Sequence, residues 1–99
     1  MVIYEVNLQV DMEIAEVYAA WLREHVQEML AIDGFEGATW YEVETDDEVR
    51  LHWCLHYRLK DRVALQAYFD GPAERMRDDG LKRFAGRFDA SRRILTPQA

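Results

Sequence analysis

Eleven consecutive residues, Val49-Arg50-Leu51-His52-Trp53-Cys54-Leu55-His56-Tyr57-Arg58-Leu59, alternate without a fault. Val49, Leu51, Trp53, Leu55, Tyr57 and Leu59 fall on one side, and Arg50, His52, Cys54, His56 and Arg58 on the other. Successive side chains of a strand point to opposite faces, so this run is a strand with one apolar and one polar face. A half-buried strand needs a sheet around it and a layer over its apolar side. The polar side carries two of the three His and the only Cys, so a site on this sheet face has its chemistry here.

The rest of the chain supplies the partners of that strand. Val2, Tyr4, Val6, Leu8 and Val10 alternate with Ile3, Glu5, Asn7 and Gln9, which predicts a first strand. From Glu13 to Ile32 the period becomes helical, with Ile14, Val17, Tyr18, Trp21, Leu22, His25, Met29 and Ile32 on one side. Asp11 stands where an N-cap belongs, and Asp33-Gly34 supplies the stop. A second strand is expected from Ala38 to about Thr45. The turn Asp46-Asp47-Glu48 joins it to the 49–59 strand as an antiparallel hairpin. Asp61 caps a second helix with Leu65, Tyr68, Phe69 and Met76 buried. Gly71-Pro72 breaks that helix into pieces, because proline lacks the amide donor. Gly80 is expected to end the second piece, with Leu81–Phe84 as a further turn and Arg87–Leu95 as a last strand.

The order is βαββαβ. Right-handed crossovers then place both helices on one face of a four-stranded antiparallel sheet and leave the other face open. Residues 1–99 form one α+β domain, with 49 % apolar residues for its core. By parity Ile3, Glu5, Asn7, Arg50, His52, Cys54, His56 and Arg58 lie on the open face. The second strand has two registers, one exposing Thr39, Tyr41 and Val43 there, the other Trp40, Glu42 and Glu44. The second is preferred, because it buries Tyr41 and Val43 and sets Glu42 and Glu44 across from Arg50 and His52.

The formal net charge of -7 argues against nucleic acid as a partner. Residues 1–48 carry -12 and residues 49–99 carry +5. The two halves either interleave and neutralise locally, or leave a basic patch that meets an anion. A single Cys forms no intrachain disulfide, and no apolar run reaches the ~20 residues that span a bilayer. The start lacks the pattern of a signal peptide, so a cytoplasmic protein without a membrane partner is expected.

Three chemistries compete for the polar residues. His52, Cys54 and His56 have the spacing of a strip rather than of a metal cage. Neighbours two apart on a strand lie ~6.6 Å apart, and a zinc ion needs donor atoms at ~2.0–2.3 Å; no metal is expected. Cys54 with His52 or His56 as base, oriented by Glu5, Asn7 or Glu42, is the nucleophile reading, with Arg50 and Arg58 placed to lower the thiol pKa. Glu5, His52 and His56 also qualify as acid or base in a partly desolvated cleft. His25, between Trp21 and Met29, faces the other side of the sheet. It is either a core histidine or a pocket residue with Tyr4, Tyr18 or Tyr57 as partner. Trp21, Trp40, Trp53, Tyr57, Tyr68 and Phe84 serve as core or line a cavity for a planar ligand. Arg75, Arg77, Lys82, Arg83, Arg87, Arg92 and Arg93 either bind an anion or, with Glu74, Asp78, Asp79 and Asp89 among them, form a solvated, salt-bridged surface; the second is preferred.

The chain resembles a family of short bacterial proteins known only as a domain of unknown function. That family is similar to the dimeric α/β-barrel superfamily of ferredoxin-like folds. The resemblance runs through Ile3-Tyr4-Glu5-Val6-Asn7, Trp21, Glu24-His25, Gly34-Phe35, Tyr57, Leu65 and Tyr68. It continues through Pro72-Ala73-Glu74-Arg75-Met76, Gly80-Leu81-Lys82-Arg83-Phe84 and Arg92-Arg93-Ile94-Leu95. It implies a homodimer whose open faces meet. The superfamily includes cofactor-free monooxygenases, lactone isomerases, haem-binding enzymes and members without known chemistry. The expected function is therefore a homodimeric module, without cofactor or catalysis, that binds a small apolar ligand or a partner. The alternative is a small cofactor-free isomerase- or monooxygenase-like enzyme acting on an apolar aromatic substrate. Haem or flavin binding, a third reading, predicts a coloured preparation.

Overall fold

The computed structural model describes residues 1–98. Strand β1 (Val2–Asp11) runs into a 3-10 turn, Met12–Ile14, and helix α1 (Ala15–Leu30). Strands β2 (Phe35–Val43) and β3 (Arg50–Leu59) form the hairpin. Helices α2 (Arg62–Asp70) and α3 (Ala73–Phe84) precede β4 (Phe88–Leu95). The antiparallel sheet has the order β2-β3-β1-β4, the ferredoxin-like arrangement with β1 and β3 central. No helix among the described residues is long and apolar enough to cross a membrane.

The alternations of β1 and β3 are what the core is built on. Val2, Tyr4, Leu8 and Val10 from β1 and Trp53, Leu55, Tyr57 and Leu59 from β3 are buried. Tyr18, Leu22 and Met29 from α1, Leu65 and Tyr68 from α2, and Met76 from α3 pack over them. Val17, read into the α1 stripe, is exposed instead, and so is Val49, which precedes β3.

Three local expectations are revised. Asp11 does not cap α1: it is the last residue of β1, and its carboxylate accepts from Arg50 Nε at 2.8 Å and Arg87 Nε at 2.9 Å. Asp61 does cap α2, accepting from the amide of Ala64 at 2.8 Å, and the Gly71-Pro72 break separates α2 from α3 as proline requires. Gly80 does not end α3, which continues to Phe84. Its role is close approach, since a Cβ there would lie 2.9 Å from the Trp21 ring of α1. The chain turns before β4 at Gly86 instead, with a positive φ of 78°.

The third revision reverses the faces of β2. Phe35 pairs with Leu59 and is buried, but Gly37 pairs with Arg58, so one extra residue, Glu36, bulges between them. A bulge of one residue inverts parity beyond it. Trp40 therefore turns to the helix side, where its ring meets Trp53 edge-on at 5.0 Å, and Glu42 shares that side. Thr39, Tyr41 and Val43 take the open face, opposite His56, Cys54 and His52. Trp40 and Glu42 are accordingly not open-face residues. The expected pairing of Glu42 and Glu44 with Arg50 and His52 is replaced by other partners.

Candidate functional site

Two places gather chemistry, one on each side of the sheet. On the open face the centre is Glu5, only 3 % exposed despite its charge. The β1 register sets it directly between His56 of β3 and Arg93 of β4. Arg93 Nε donates to its Oε1 at 2.6 Å and Asn7 Nδ2 to the same oxygen at 2.8 Å, while His56 Nε2 lies 2.8 Å from Oε2. The Arg93 guanidinium, with Asn7 and His56, outweighs burial and holds the Glu5 carboxyl down at about 2. A buried carboxylate is tolerable only because it is saturated in this way.

The other open-face candidates divide. Cys54 joins Glu5 and His56: one donor atom from each of the three lies within 4.8 Å of the others. Burial first, and the negative charge of Glu5 second, push the Cys54 thiol up rather than down. Arg50 and Arg58 do not lower it, because both are engaged elsewhere. Arg50 binds Asp11 and Asp89, and Arg58 Nη1 donates to Thr39 Oγ1 at 2.9 Å. The thiol stays protonated, which removes the activated nucleophile. The carboxylate that would complete a metal site is occupied by Arg93, Asn7 and His56, so a cation there has to displace the guanidinium. His52 stands apart, 2.8 Å from Asp47 Oδ2. Asp47 also accepts from the amides of Val49 and Arg50, tying His52 to the β2–β3 turn. Ile3, next to Arg58 and Leu95 in the register, flanks the cluster.

On the helix side lies a cavity of about 240 Å³ between α1, α3 and the sheet. Tyr4, Tyr18, Tyr57, Tyr68, Trp21 and Phe88 supply its aromatic walls, with Leu22, Met29, Leu55 and Met76 between them. Trp21 is oriented by its Nε1, which donates to Asp79 at 2.9 Å, and by Gly80, which leaves room for the ring. His25 stacks on Trp21 at 4.7 Å. Its Nδ1 is buried with no hydrogen-bond partner among the described residues. Burial lowers the His25 pKa, so the ring is neutral near pH 7. Burial likewise pushes the Tyr18 and Tyr57 phenols well up, and that of Tyr68 to about 12.

The structure thus unites Glu5, Cys54 and His56, separates His52 from them, and places the aromatic-walled cavity on the opposite side of the sheet. Of the two readings open for His25, the structure shows the pocket position; Tyr4, Tyr18 and Tyr57 line the same cavity. Two residues escaped the sequence reading as site residues. Arg93, read as surface, is the chief partner of Glu5, and Arg92 lines the cavity. The alternation Arg92-Arg93 across β4 was the available signal, since neighbours on a strand serve opposite faces.

Sequence and structure comparisons agree with this architecture. The chain belongs to the family described as Domain of unknown function (DUF4286), which it matches over residues 1–98. No curated protein sequence matches it. Its fold is similar to that of SnoaB from Streptomyces nogalater, a cofactor-independent oxygenase (TM-score 0.72, 12 % identity, 99 % of this chain and 94 % of that one). It is also similar to an antibiotic biosynthesis monooxygenase (TM-score 0.74, 14 % identity, 100 % of both chains). A third likeness is to a mutant of MhuD solved with two manganese protoporphyrin IX molecules per active site (TM-score 0.64, 16 % identity, 98 % and 94 %). At these identities the shared property is the fold.

Proposed function

We propose that this DUF4286 domain is a homodimeric small-molecule-binding module that takes a planar, largely apolar ligand in the cavity between its helices and sheet. One observation carries the reading: the buried, unpartnered Nδ1 of His25 at an aromatic-walled space of about 240 Å³. A buried polar atom without a partner costs roughly 1–3 kcal/mol, and a ligand group that bonds to it recovers that cost. An apolar cavity of ~150 Å³ holds benzene, and pockets for drug-sized ligands start near ~300 Å³. The cavity therefore suits one or two fused rings. A tetrapyrrole is larger than this space, which favours the smaller ring system.

The open face serves the second copy. Tyr41 is 48 % exposed there and Val43 is also exposed, beside the saturated Glu5 cluster. Covering them against the same surface of a partner is the natural use of such a face.

A second reading, catalysis, is favoured by the same histidine. A neutral imidazole at an aromatic-walled cavity is placed to accept a proton from a bound ring substituent. The likeness to a cofactor-independent oxygenase supports it at the level of fold. In that case His25 replaces His52, His56 and Glu5 as the base, because those three face away from the cavity.

Ligand-observed NMR with a two-ring aromatic such as 2-naphthamide tests the binding reading. Saturable binding is expected in the wild type. It should be lost in Ala90→Phe, which fills the cavity from the β4 side. No binding at millimolar concentration of either this probe or its acid, 2-naphthoate, or binding indifferent to Ala90→Phe, refutes it. Light scattering at micromolar concentration tests the dimer: twice 11.7 kDa is expected, and Tyr41→Asp should return it toward 11.7 kDa. A wild-type mass near 11.7 kDa defeats the dimer.

A further inference from the structure

The cavity is not electrically neutral. Arg77 from α3 and Arg92 from β4 both line it, and neither forms an ion pair among the described residues. Among the described residues Arg77 Nη2 has only the Tyr4 hydroxyl, at 3.5 Å. Arg92 stands opposite Val6 in the β1–β4 register, on the helix side of the sheet. Asp89 is the single carboxylate residue of the lining, and its side chain is bound to Arg50 on the other face. In a chain with 19 acidic side chains against 12 basic ones, this wall carries two guanidiniums and, among the described residues, no carboxylate to meet them.

We infer that the ligand is an anion: a planar aromatic carboxylic acid, with its ring between Trp21 and the tyrosines and its carboxylate held by Arg92 and Arg77. The inference rests on the cavity reading above and narrows it. Guanidinium presents paired donors that match a carboxylate, and such charge-assisted bonds are about twice as strong as neutral ones. The phenols of the wall, kept protonated by burial, add donors and no competing negative charge. His25 Nδ1 is left for a second polar substituent on the ring, a hydroxyl or a carbonyl. The +5 charge of residues 49–99 is thereby used in part at this wall.

The test compares two probes of one shape, 2-naphthoate and the uncharged 2-naphthamide, by isothermal titration calorimetry. The acid is expected to bind roughly tenfold or more tightly than the amide. Arg77→Gln with Arg92→Gln should weaken the acid far more than the amide and so erase that preference. Both side chains are exposed and glutamine keeps part of each stem, so the fold is retained; circular dichroism checks this. Raising the salt from 50 to 500 mM on the unaltered protein gives an independent reading. The preference for the acid should shrink while amide affinity holds. Equal affinity for the two probes overturns the anionic ligand and leaves the cavity reading intact. Binding of neither overturns both. A preference for the acid that survives the double substitution and high salt assigns it to other groups, and refutes the role of the arginines.

Discussion

Glu5 offers the sharpest test of how the open face is held together. Its carboxyl falls from the ordinary 4.5 to about 2, chiefly through Arg93, with Asn7 and His56 adding to it against the effect of burial. The sign follows from linkage. A carboxyl depressed in the native state contributes stability that is fully present above the unfolded value, near 4.5, and is lost as pH falls toward 2. At 1.36 kcal/mol per pH unit the drop corresponds to about 3 kcal/mol. The side chain of Arg93 is 69 % exposed, so solvent screens its share and ~1–3 kcal/mol is the expected contribution. The perturbation is Glu5→Gln, which keeps the shape and removes the charge. Urea unfolding of both proteins, at one protein concentration and at pH steps from 7 to 2, gives the difference free of the other carboxylates. Wild type should exceed the variant at pH 7, and the gap should close by ~1–3 kcal/mol between pH 5 and pH 2. Stability curves that run parallel through that window refute the reasoning.

Two other substitution and titration experiments probe the cavity side. Gly80→Ala sets a Cβ 2.9 Å from the Trp21 ring. The ~1 kcal/mol helix gain of alanine meets an overpacking cost of ~1–3 kcal/mol. A net loss in chemical unfolding and a shifted tryptophan emission are expected, and a stabilised variant with unchanged emission contradicts the packing described. His25 should titrate by NMR with a midpoint below 6.5, because burial disfavours its charged form. Between its native value and 6.5 the unfolded chain binds the proton that the native state refuses, so this residue lowers stability as pH falls through that range. A midpoint at or above 6.5 removes the neutral imidazole from the argument.

Much of the site was legible in the alternations. The parity of β1 and β3 put Glu5, Cys54 and His56 on one face, and antiparallel pairing then brought Glu5 and His56 side by side. The helical stripe put His25 beside Trp21 on the other face. Less legible were partners contributed by β4, where a weaker alternation made Arg92 and Arg93 look like solvated charge. Only the register with β1 sends one to Glu5 and the other to the cavity.

What the chain determines by itself is the succession of strands and helices and the face to which each residue of β1 and β3 turns, because periodicity is a local property of the backbone. What only the tertiary structure decides is anything that depends on one residue more or less. The bulge at Glu36 inverts β2 beyond it, exchanging Trp40 for Tyr41 on the open face. Residues 35–43 can be drawn as a strand either way. The choice is made by the burial of Phe35 at one end and the packing of half-buried Trp40 against Trp53 further on, which no unbroken alternation satisfies together. The cavity is a tertiary outcome for the same reason. Its aromatic walls are readable as core residues, but the space between them exists only where α1 and α3, brought close at Gly80 and Trp21, stand over the sheet.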